Sequence, residues 1–88
     1  MEVLKVATNT NVNKLAGAIA KIMERQETVE LRMVGAGTVN IAMKSIAVAR
    51  GFTAAAGKEL VCAPGFLTYE DEGLPRTMLR IIVMDKNR

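Results

Sequence analysis

The hydrophobic positions alternate between two periods along the chain. Residues 3–7 (VLKVA) combine β-branched side chains with one Lys and read as a strand. The polar stretch NTNVN follows, in which Asn11 or Thr10 is suited to cap a helix. From there Val12, Leu15, Ala16, Ile19, Ile22 and Met23 recur at helical spacing, with Lys14, Lys21 and Arg25 on the opposite face. Residues 28–34 (TVELRMV) then alternate. Val29, Leu31 and Met33 face one way, Glu30 and Arg32 the other.

The stretch VGAGTVNIAMKSIAVARGF, residues 34–52, runs from a glycine-bracketed turn into a second helix. Thr38 is the expected N-cap, Arg50 falls in the last turn, and Gly51 suits the left-handed position just past the end. After the small-residue loop TAAAG, KELVCA reads as a third strand that Pro64 and Gly65 should stop. FLTYEDEGLP is expected to be a loop or arm with an acidic tip at Glu70, Asp71 and Glu72. Residues 76–84 (RTMLRIIVM) form the longest strand, with Leu79, Ile81 and Val83 on one face and Met78, Arg80, Ile82 and Met84 on the other. The closing DKNR is expected to fray. The order strand-helix-strand-helix-strand-strand predicts one α/β domain over residues 1–88, with two helices packed on one face of a four-stranded mixed sheet.

The glycine turn follows a strand and opens a helix, as a dinucleotide fingerprint does. However, Asn40 stands at the third glycine position, and no acidic residue ends a following strand. A nucleotide cofactor is therefore not expected. Gly35 and Gly37 should instead permit backbone angles that other residues resist and let the helix approach the sheet. A single phosphate of a polymer is the anion such a turn could meet.

The second helix is apolar on most sides. Val39, Ala42, Met43, Ile46 and Ala49 share a face, and Ile41, Val48 and Phe52 lie well around from it. One sheet can cover only one side of it. Together with Met78, Ile82 and Met84 on the outer sheet face, this predicts a homodimer or higher oligomer through Ile41, Ile46, Val48, Met78, Ile82 and Met84.

Composition narrows the chemistry. Half of the 88 residues are hydrophobic, and the aromatics are only Phe52, Phe66 and Tyr69, so the core must be aliphatic. With no histidine and a single cysteine, Cys62, neither a metal site nor a nucleophile with its base is expected. Cys62 reads as a small buried apolar residue. No cofactor, small-molecule substrate or enzymatic role is anticipated. No apolar run approaches the roughly 20 residues of a membrane span, and the opening MEVLKVATNT does not read as a signal peptide. Those features predict a cytoplasmic protein.

Twelve basic residues against nine acidic ones give a net charge of +3, which permits a nucleic-acid partner without demanding it. Lys14, Lys21, Arg25, Arg32 and Lys44 are the candidates for phosphate contact, while Lys5, Arg32 and Arg80 occupy outward positions on three strands. Binding by such point charges would be salt-dependent and would read little sequence. The other reading of the same residues is an assembly module that works through its apolar helix and sheet faces without nucleic acid.

The stretches LKVATNTNVNKLAGAIA, GAGTVNIAMKSIAVARGF and LVCAPGF resemble the stage V sporulation protein S family nearly end to end. The resemblance implies an Alba-like domain, a fold shared with archaeal chromatin proteins, and a role in spore development and septation control with nucleic-acid binding. Alba-type proteins carry a lysine-bearing loop after the first strand and a basic hairpin between the last two. Here the loop is Asn9, Thr10 and Asn11, with Lys14 one turn inside the helix, and the hairpin tip is acidic.

Overall fold

The structure is a computed structural model that describes residues 1–25 and 27–87. Its elements are β1 (Glu2–Val6), α1 (Val12–Glu24), β2 (Val29–Met33), α2 (Ala36–Ala54), β3 (Leu60–Asp71) and β4 (Leu74–Asp85). The sheet order is β1-β2-β4-β3, with β1 parallel to β2 and the other pairs antiparallel. Both helices cross over between strands that run the same way, and they cover one face of the sheet. This is the expected two-layer α/β architecture.

Each element follows from local chemistry. The Asn11 side chain accepts the Lys14 backbone N–H at 2.9 Å, so Asn11 rather than Thr10 caps α1. Thr10 instead closes the preceding turn, its hydroxyl accepting the Ala7 N–H at 2.8 Å. Leu15, Ala16, Ile19, Ile22 and Met23 are buried against Val29, Leu31, Met33, Ile81 and Val83 of the sheet, as their spacings predict. The core is aliphatic throughout.

Helix α2 differs from expectation in three ways. It starts at Ala36, with Gly35 as N-cap, so Thr38 lies inside the helix and its hydroxyl donates to the carbonyls of Val34 and Gly35. It continues through Gly51 to Ala54, and the left-handed residue that follows it is Gly57. Its buried face is also turned. Thr38, Ser45 and Thr53 point inward beside Ala42, Ile46 and Ala49, while Met43 is 45 % exposed. Each buried hydroxyl is satisfied by a carbonyl three or four residues back, which lets a polar residue pass for an apolar one.

The last strands also run longer than expected. Pro64 and Gly65 do not stop β3. It is an edge strand, where a missing N–H is tolerated. FLTYEDEGLP is therefore not an arm of loop but a ribbon, closed by a two-residue turn at Glu72 and Gly73, both with positive φ. Strand β2 pairs with β4 only over Leu79–Val83, so the outer part of the β3–β4 ribbon stands free of the sheet. The molecule is elongated, 45 × 25 × 16 Å, with a radius of gyration of 13.2 Å. A compact chain of this length would have about 12 Å. At the other end Asp85 still belongs to β4 and Lys86 and Asn87 form a turn; Arg88 of the expected frayed tail lies outside the described residues.

Candidate nucleic-acid interface

Register places three cations in one row. Lys5 on β1 is opposite Arg32 on β2, and Arg32 is opposite Arg80 on β4. The next residue in the row is Gly65 on β3, which has no side chain, and the Arg80 side chain lies across it. The row is on the outer face of the sheet, away from the helices. Like charges on neighbouring strands repel. One carboxylate offsets them: Glu30, only 4 % exposed, pairs with Nε of Arg32 and lies 3.5 Å from a terminal nitrogen of Arg80. Three positive charges against one negative leave the row with a net excess.

The topology gathers other features along one side of this row, at one end of the sheet. β1 and β2 both finish there, so the β1–α1 loop and the N-termini of both helices lie at that end. The free part of the ribbon projects from the same end, since β3 runs parallel to β2. Arg76 continues the outer face up the ribbon and lies 3.7 Å from Asp71, an exposed pair that screens it little. The tip beyond carries Glu70, Asp71 and Glu72 and is unfavourable to phosphate. An open hollow of about 660 Å³ lies between the root of the ribbon and the ends of β1 and β2.

The expected phosphate-binding residues do not form one patch. Arg32 stands on the outer sheet face, whereas Lys14, Lys21 and Lys44 are exposed on the helices of the other layer. Lys14 is near the end where the ribbon emerges, in the first turn of α1. Arg25 is at the opposite end, held by Glu2 at 2.7 Å and by Glu27 at 3.7 Å. Lys5 and Arg80 join the site instead; alternation showed them facing outward, but only strand order shows them adjacent to Arg32. Of the expected interface residues, Ile46 belongs to the protomer's own core at 4 % exposure. Ile41 and Val48 are half-buried against that core, and Met78, Ile82 and Met84 are half-buried on the outer sheet face. The exposed apolar residues include the aromatics Phe52 and Phe66, at 56 % and 75 %, besides aliphatic side chains such as Val34, Met43 and Leu74. Cys62 is half-buried, not fully enclosed. Among the described residues no helix is long and apolar enough to cross a membrane.

A layer of two helices under a β1-β2-β4-β3 sheet with a projecting final ribbon defines an Alba-like domain. The fold matches that of Alba from Thermoplasma volcanium with a TM-score of 0.59 at 10 % sequence identity, over 93 % of this chain and 95 % of that one. The likeness at this identity is one of fold. The chain belongs to the stage V sporulation protein S (SpoVS) family, whose model matches residues 2–86. Family and fold are those that the sequence resemblance implied.

Proposed function

We propose that this sporulation-family protein is a regulator that binds nucleic acid through backbone phosphates, and that it acts by binding rather than by catalysis. The observation that carries this reading is the in-register row Lys5–Arg32–Arg80, whose excess positive charge lies at the root of the projecting ribbon. A polyanion passing across the outer sheet face would relieve the repulsion within the row. Lys14 reaches the same strand of nucleic acid from the rim. The acidic tip keeps that path at the ribbon's root, away from its end. Contacts of this kind position a backbone without reading bases.

The test is a titration of purified protein against duplex and single-stranded DNA and RNA at two ionic strengths. Duplex affinity that falls about forty-fold between roughly 50 and 200 mM salt would correspond to three phosphates, one per row residue. Lys5→Glu combined with Arg76→Glu should lower affinity at least as much as Lys14→Glu combined with Lys21→Glu, with both double variants still folded by circular dichroism. Affinity indifferent to salt, or none at low salt, would refute the proposal. A second reading, self-assembly without nucleic acid, is favoured by the exposed Phe52 and Phe66. It predicts a multimer that is unmoved by any polynucleotide.

A further inference from the structure

The hollow at the root of the ribbon is lined asymmetrically. Lys5 of β1 and Arg32 of β2 contribute positive charge from one side. Tyr69 of β3 and Met78 of β4 contribute an aromatic ring and a thioether from the other, with Val3 adding apolar surface. No carboxylate lines it. Two further hollows each include one, Glu59 in the first and Glu24 in the second. Lys5 has no ion pair or hydrogen bond among the described residues, and Arg32 engages Glu30 through Nε alone. The ammonium and the terminal guanidinium nitrogens therefore remain available as donors. At about 660 Å³ the space falls within the range of about 300–1,000 Å³ typical of small-ligand sites.

We propose that this hollow takes one unpaired nucleotide, with its phosphate on Lys5 and Arg32 and its base against Tyr69 and Met78. The inference rests on the reading that the outer sheet face meets backbone phosphate, and it adds a preference for single-stranded over duplex polymer. A base within a duplex is stacked between its neighbours and cannot reach the ring, whereas an unpaired base can. Stacking on an aromatic ring is sequence-tolerant, so the site distinguishes unpaired from paired nucleotides rather than one base from another.

The chain supplies its own reporter. Tyr69 is the only tyrosine and there is no tryptophan, so intrinsic emission comes from this ring. The probes are adenosine monophosphate, uridine monophosphate, adenosine and inorganic phosphate, titrated into the full chain. Both monophosphates should change Tyr69 emission saturably. Adenosine and phosphate, each supplying half of the recognition, should bind at least ten-fold more weakly. By calorimetry, Tyr69→Leu should weaken monophosphate binding by roughly five- to hundred-fold, the effect of losing one stacked base. Lys5→Gln, at an exposed position that leaves the core intact, should weaken it while leaving adenosine unaffected. Emission that does not respond to millimolar monophosphate would overturn the inference, as would binding indifferent to both substitutions. If polymer binding stays salt-dependent while monophosphate binding fails, the nucleotide pocket is wrong and phosphate recognition stands. If neither ligand binds, both are wrong.

Discussion

Glu30 is the residue on which the outer face turns. It occupies an outward position of β2, where alternation alone would place it in solvent, yet it is almost fully buried between Arg32 and Arg80. Alternation tells which face a side chain takes, not how far its neighbours fold over it. That is why the basic residues could be read from the sequence but their internal counter-charge could not. Removing the charge without changing the shape should expose the repulsion between two arginines in register. Glu30→Gln is expected to lower stability by about 1–3 kcal/mol, toward the lower value because both arginines are partly exposed. A urea unfolding midpoint measures this. The same substitution releases both guanidinium groups, so nucleic-acid affinity should rise while stability falls. A fall in both would show that Glu30 orders the arginines for their ligand instead of competing with it.

The elements were legible where one face is plainly apolar and illegible where polar atoms satisfy themselves. Helix α1 is found almost residue for residue, because its buried and solvent-facing positions differ sharply in polarity. The sequence pattern locates helix α2 but not its buried face, because Thr38, Ser45 and Thr53 hide their hydroxyls on their own helix's carbonyls and so enter the core. Strand β3 runs past Pro64 because a proline stops an interior strand but not an edge strand, and strand order is what places this one at an edge. The glycine turn divides the same way. Gly35 has φ +97 and ψ 148, a backbone region closed to most residues, whereas Gly37 sits in the first turn of the helix. A Cβ at either position would meet nothing within 4 Å, so neither glycine is there for close packing against the sheet. Gly35→Ala should therefore destabilise the domain by about 1–3 kcal/mol through backbone strain alone. Gly37→Ala should leave it unchanged or stabilise it by up to about 1 kcal/mol. Paired thermal melts test the contrast, and equal losses at both positions would contradict it.

As a whole, the molecule is a thin two-layer plate with a projecting ribbon and with apolar side chains left exposed among the described residues. Phe52 on α2 and Phe66 on the ribbon are the most conspicuous, and for so small a domain a second copy is the natural cover. We expect a mass of at least two chains by light scattering, with Phe52→Lys shifting it toward one chain at unchanged helicity. A single-chain mass for the unmodified protein would count against self-association through this helix. The sequence pattern points to Ile46 as an interface residue, which the rotated helix withdraws into the core, and marks Phe52 as apolar and off the covered face without including it in that interface. The proline at the sheet margin bears on how copies can meet. Twelve residues of β3 lie along an open border of backbone, the kind of rim onto which another chain could zip and begin a fibre. The Pro64 ring interrupts that rim near its middle. Addition of a further strand along that border is thereby discouraged, whatever chain the protein meets there.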